Sequence, residues 1–175
     1  MTSIIDPYFD KAWKITDGPD AGCRFINACQ PRHEGLIIKG CRNMSAITEL
    51  PSQLKVLVIF SCDALERINY LPPHLKLLCL FDNKNLHELP DLRSSYNLDA
   101  LAVLGCPRLD LGRSPYPPTL KELEFELRRG FDLKQLPENL WSCVMTRPDW
   151  GQTSNRVGRI LKGCDKGQSG VFWID

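Results

Sequence analysis

Eight cysteines, three histidines and a run of alternating glutamates are the side chains of this 175-residue chain that could do chemistry. A thiol nucleophile needs a lowered pKa and a base within reach. Cys164, in the stretch LKGCDKGQSG, has Lys162 and Lys166 close enough in sequence to lower its pKa. No histidine follows it, and a packing role outweighs a catalytic one. Cys23 and Cys29 stand in no partner pattern and read as packing residues. Arg156, Arg159, Lys162 and Lys166 form a mild basic cluster that reads as a solvated face. His33, His74 and His87 are scattered and offer no metal-ligand spacing. The chain contains no CxxC pair, no GxSxG, no HExxH, no P-loop and no carboxylates paired at a meaningful spacing. The expectation is a chain with no catalytic centre, no cofactor and no metal. A small cysteine-dependent enzyme using Cys164 is the alternative.

The other cysteines point to architecture. Cys41, Cys62 and Cys106 occupy equivalent places in a repeat, with Asn83 in the fourth such place. The pattern is clearest over residues 54–93, where LKVLVIFSCDALERINYLPPH stands over LKLLCLFDNKNLHELPDLR. Leu54 aligns with Leu75, Lys55 with Lys76, Leu57 with Leu78, Ile59 with Leu80, Leu65 with Leu86 and Ile68 with Leu89. Phe60 falls over Phe81, and Cys62 over Asn83. This is the LxxLxLxx(N/C)xxL signature of a leucine-rich repeat. A preceding repeat starts at residue 33, with Leu36, Ile38, Cys41, Met44, Ile47, Leu50 and Pro51. A fourth begins at Leu98, after a two-residue excess at Tyr96 and Asn97, and uses Leu101, Val103, Cys106 and Leu109. A fifth begins at Leu120 and uses Leu123, Phe125, Leu133, Leu136 and Pro137, with Arg128 at the ladder position. Leu140, Cys143 and Met145 fit a sixth, degenerate strand.

Each repeat supplies a short strand to a parallel sheet. Side chains two residues apart share a face, and the consensus leucines turn into the stack. The Cys/Asn position also turns inward, where Asn can hydrogen-bond neighbouring turns and Cys acts as a small buried hydrophobe. The LP and PP pairs near the end of each repeat predict an extended, polyproline-like or 3₁₀ return. The fold class expected is an α/β repeat solenoid, a single domain over 1–175. Residues 1–32 form an N-terminal cap, 33–145 five to six repeats, and 146–175 an irregular C-terminal cap. Asp6-Pro7 is a good helix start, and Ile5, Tyr8, Phe9, Ala12 and Trp13 then fall on one side of a helix. The apolar end Val171, Phe172, Trp173 and Ile174 must be buried somewhere.

Composition narrows the function classes. A formal net charge of +1 leaves no basic footprint for nucleic acid or for an anionic membrane surface. No apolar run approaches the roughly 18 residues of a membrane helix. With no signal peptide visible, reduced thiols in a cytosol are expected.

The columns beside the buried leucines carry the functional expectation. One holds Ile37, Val58, Cys79, Ala102, Glu124 and Val144. The next holds Lys39, Phe60, Phe81, Leu104, Glu126 and Thr146, and the preceding one Gly35, Val56, Leu77, Ala100, Glu122 and Ser142. Val56, Val58, Phe60, Leu77, Cys79, Phe81 and Leu104 would thus form an apolar patch on the concave face. Such patches mark interfaces. Glu122, Glu124 and Glu126 would give it an acidic rim favouring a basic partner segment, or would be a solvated edge strand. The partner is expected to be a protein or a second copy of the chain. Cover by the chain's own termini is the competing reading.

The segments LPSQLKVLVIFSC, LPPHLKLLCLFDN and PPTLKELEFEL resemble the short leucine-rich repeats of bacterial secreted effectors of the IpaH and YopM kind. The CxxLxxLP portion also looks like the repeats of plant intracellular immune receptors. The likeness spans roughly residues 33–140. It implies a protein-binding module, delivered to a host cytosol by a route that needs no signal peptide. The large catalytic ubiquitin-ligase domain that follows the repeats in IpaH-type proteins has no counterpart in the last 35 or so residues. Ligase activity is therefore not implied, and a ligase-related fragment stays with the Cys164 alternative.

Overall fold

A computed structural model describes residues 12–16, 34–113, 115–126, 134, 136–146 and 172–173. The strands are β1 (Ala12–Thr16), β2 (Gly35–Lys39), β3 (Ala46–Ile47), β4 (Val56–Phe60), β5 (Arg67–Ile68), β6 (Leu77–Phe81), β7 (Ala100–Leu104), β8 (Glu122–Glu126), β9 (Ser142–Thr146) and β10 (Phe172–Trp173). Eight of them form one sheet in the order β1-β2-β4-β6-β7-β8-β9-β10. Every neighbouring pair is parallel. The register sets Leu36, Leu57, Leu78, Leu101, Leu123 and Cys143 in one row and Ile38, Ile59, Leu80, Val103, Phe125 and Met145 in another. The chain is a parallel β-solenoid of stacked coils.

Two tight turns explain why one coil closes in so few residues. The first follows the strand: the amides of Leu65, Leu86 and Leu109 donate to the carbonyls of Cys62, Asn83 and Cys106 at 3.0, 3.2 and 3.1 Å. The second precedes the next strand: Leu54, Leu75 and Leu120 donate to Pro51, Pro72 and Pro117 at 3.2, 3.1 and 3.1 Å. A proline cannot donate, but its carbonyl is free to accept, which suits it to the head of this turn. The return between the turns is extended. β3 pairs with β5 in a second parallel sheet, continued by a bridge from Arg67 to Glu88. The residues between β6 and β7 include a 3₁₀ turn at Leu92–Ser94, and the turn amide of Leu98 donates to Ser95 where the other coils use proline. Buried Ser95 in turn donates its hydroxyl to the Pro72 carbonyl at 3.0 Å.

The core is the stack itself. Leu36, Ile38, Leu54, Leu57, Ile59, Leu65, Leu75, Leu78, Leu80 and their equivalents have no appreciable solvent exposure. Burial of each is worth about 1.5–3 kcal/mol.

Three expectations change. The helical structure of the described residues is all 3₁₀, at Leu92–Ser94, Leu111–Arg113 and Lys134, and they contain no α-helix. Ala12 and Trp13, expected on a helix, lie in β1, which pairs in register with β2 from Ala12–Gly35 to Thr16–Lys39. Pairing gives the first coil's strand a hydrogen-bonded neighbour, which a helix laid over it would not. Residues 1–11, the rest of that expected helix, lie outside the described residues. At the other end Phe172 and Trp173 pair with Val144 and Met145. Part of the segment expected to leave the pattern therefore continues the sheet, and Ser142–Thr146 supplies the degenerate sixth strand.

Candidate functional site

Alternation along the strands sends one set of side chains into the stack and the other to the opposite face. On that opposite face Ile37, Val56, Val58, Leu77, Cys79, Ala100 and Ala102 form a second apolar cluster. The sequence places them together correctly. All seven are buried in the isolated chain, Cys79 completely, Val56, Val58, Leu77 and Cys79 of the expected open patch among them. Leaving such a row in water would forfeit roughly 1.5–3 kcal/mol for each large side chain, and the chain does not do so. Val56, Val58, Leu77 and Cys79 pack in this buried cluster, with burial pushing the Cys79 thiol up to about 12.

What remains open is the column at the strands' C-terminal ends. Lys39 is exposed, while Phe60, Phe81, Leu104 and Glu126 are half-buried. The register holds Lys39 beside Phe60, Phe60 beside Phe81 and Phe81 beside Leu104. Glu126 comes next, because Phe125 pairs with Val103. The Lys39 ammonium lies 5.1 Å from the Phe60 ring centroid, a cation–π contact. Phe81 packs on the edge of the buried cluster.

A row of left-handed corners borders this column. Gly40, Ser61, Asp82 and Gly105 have φ of 72°, 53°, 53° and 67°. Gly40, Ser61 and Asp82 donate their amides to Phe60, Phe81 and Leu104 carbonyls of the following coil, each at 2.9 Å. At Gly105 the Glu126 side chain takes over, accepting the amide at 2.9 Å. Glu126 is therefore fixed by the corner ladder.

The other two glutamates sit differently. β8 is an interior strand, paired with both β7 and β9, so it is not a solvated edge. Glu124 stands between Ala102 and Val144, and burial raises its carboxyl pKa. Burial also raises that of Glu122, with Asp99 adding to the effect and Lys121 opposing it.

Inside the bend, the Cys/Asn ladder does more than fill space. Asn83 accepts the Cys62 amide at 3.0 Å and donates to the Ile59 carbonyl at 3.0 Å. The cysteines make the same two contacts through sulfur. Cys62 Sγ accepts the Cys41 amide and shares its one S–H between Phe60 at 3.6 Å and Ile38 at 4.0 Å, and Cys106 Sγ accepts the Asn83 amide and shares its S–H between Leu80 and Leu104, both at 3.6 Å. Each rung thereby satisfies backbone groups of the coil before it.

A charged row along the strands' N-terminal ends went unremarked in the sequence. Glu34 pairs with Lys55 at 2.6 Å and Asp99 with Lys121 at 2.9 Å, and Lys121 lies 5.5 Å from the exposed Trp141 ring. The i, i+21 or i+22 spacing of these pairs could have found it. Cys164 and the ladder position Arg128 lie outside the described residues. Among the described residues no group of three His, Cys, Asp or Glu is placed to hold a metal ion, and no helix is long and apolar enough to cross a membrane. No family model, curated protein or solved structure matches the chain.

Proposed function

We propose that the chain is a non-catalytic protein-binding module of the leucine-rich repeat type, close in kind to the short repeats of secreted effectors. The coil period, the Cys/Asn ladder and the proline-headed turns support that repeat class. Its work would be done in a cytosol, that of a host cell if the chain is delivered as such effectors are. The binding surface is the rim column Phe60, Phe81 and Leu104, bounded by Lys39 and Glu126. One observation carries this reading. On a sheet face that otherwise buries its apolar side chains, these three stay half-exposed in an unbroken row. Further burial of such a row in a contact yields about 25 cal/mol per Å².

The test is a Phe60→Glu/Phe81→Glu double variant against wild type. Both proteins should give the same far-UV circular dichroism, because neither side chain is part of the stack core. The double variant should lose association with its partner. Undiminished association by a folded double variant would end the proposal.

A further inference from the structure

We infer that the partner of the rim column is a second copy of this chain, docked antiparallel about a twofold axis through Phe81. This rests on the rim being the binding surface. From one side of the sheet to the other, the column's register positions are Thr16, Lys39, Phe60, Phe81, Leu104, Glu126 and Thr146. The order of chemical types reads the same from both ends, except that the charge changes sign. A twofold rotation about Phe81 therefore sets Lys39 against the partner's Glu126, and Phe60 against the partner's Leu104. Phe81 meets its own copy.

Distances suit that pairing as well as types do. Parallel strands lie about 4.8 Å apart, so Lys39 and Glu126 each stand about 10 Å from Phe81, on opposite sides. An isologous contact needs this equality, because residue i meets j wherever j meets i. Docking the columns the other way round would set Lys39 on Lys39 and Glu126 on Glu126. Neither residue makes an ion pair among the described residues, so both charges are available. Lys39 is held over Phe60 and Glu126 is pinned by the Gly105 amide, so little side-chain freedom is lost on docking. A single column is narrower than the roughly 1,200–2,000 Å² of a tight interface. The dimer is accordingly weak, with a dissociation constant in the micromolar range.

Sedimentation equilibrium of the full chain, from about 5 to 200 µM, tests this. Wild type should shift from one chain mass toward two as concentration rises. Lys39→Glu and Glu126→Lys, each alone, set like charges together twice per dimer and should weaken association by at least about tenfold. An equimolar mixture of the two variants restores both pairs and should associate within about threefold of wild type. A misfolded variant could not be rescued in this way, so the mixture also controls for folding. A wild-type mass fixed at one chain overturns the dimer, as does a mixture no stronger than its components. The rim reading fails separately, if wild type shifts toward two chain masses and the Phe60→Glu/Phe81→Glu variant shifts just as far.

Discussion

Replacing Asn83 by leucine or by cysteine should have sharply different costs, although both side chains are less polar than Asn. Asn83 is fully buried. Its side chain satisfies two backbone groups of the preceding coil, the Cys62 amide and the Ile59 carbonyl, each at 3.0 Å. Leucine has the branched shape of Asn and is larger, so it leaves no space for water to replace the lost partners. Each orphaned buried group costs about 1–3 kcal/mol, or about 2–6 kcal/mol together. With an m-value near 2 kcal/mol/M, the urea midpoint should fall by about 1–3 M. Cysteine can reach both groups through sulfur, as Cys62 and Cys106 do in their own coils, sharing its one S–H with the carbonyl two residues before it. Its bonds are longer and weaker, and the cost should stay near about 1 kcal/mol. Urea titrations followed by circular dichroism and tryptophan fluorescence give both values. Equal losses for the two variants would refute the idea that the ladder works by satisfying backbone groups.

Gly105→Ala should destabilise by about 1–3 kcal/mol in the same titration, because φ is +67° there and a Cβ would stand 3.0 Å from the backbone nitrogen and Cα of Asp82. Glu124→Gln should raise stability at pH 7 and leave it almost unchanged near pH 4. Folding raises the Glu124 pKa above its ordinary 4.5, so the wild-type fold binds that proton more tightly than the unfolded chain. Its contribution is favourable below the ordinary value and is lost as pH rises through the raised one. Thermal melts of both proteins at the two pH values give the comparison. Cys41, Cys62, Cys79, Cys106 and Cys143 are buried free thiols, and burial pushes Cys62 and Cys79 to about 12 and Cys106 and Cys143 to about 11. At pH 8 these five should resist a maleimide until urea unfolds the chain, as peptide mapping would show.

The stack was legible in the sequence because it is periodic. Leu57 over Leu78 and Cys62 over Asn83 fix the register, and one strand register fixes the facing of every side chain. The columns themselves were therefore readable, Lys39 to Glu126 included. Their burial was not. Whether Val58 and Cys79 meet water depends on what the chain lays over that face, and a repeat pattern carries no information about such long-range packing. Ala12 and Trp13 failed for a related reason. Their spacing fits a helix and also lets a strand join β2, and the sheet's unpaired edge decided between them. The ladder's second contact was hidden by chemistry: Cys and Asn look unlike, and only the shared geometry of the Ile38, Ile59 and Leu80 carbonyls makes them equivalent.

The central claim concerns the rim, and a photocrosslinker placed at its centre addresses it most directly. With benzoylphenylalanine in place of Phe81, irradiation at about 100 µM should give a covalent product of twice the 19.9 kDa chain mass. Mass spectrometry should map the link to β4, β6 or β7 of the second copy, with position 81 joined near position 81. Cross-links from position 81 that reach only residues away from the rim, or no double-mass product, would contradict the account.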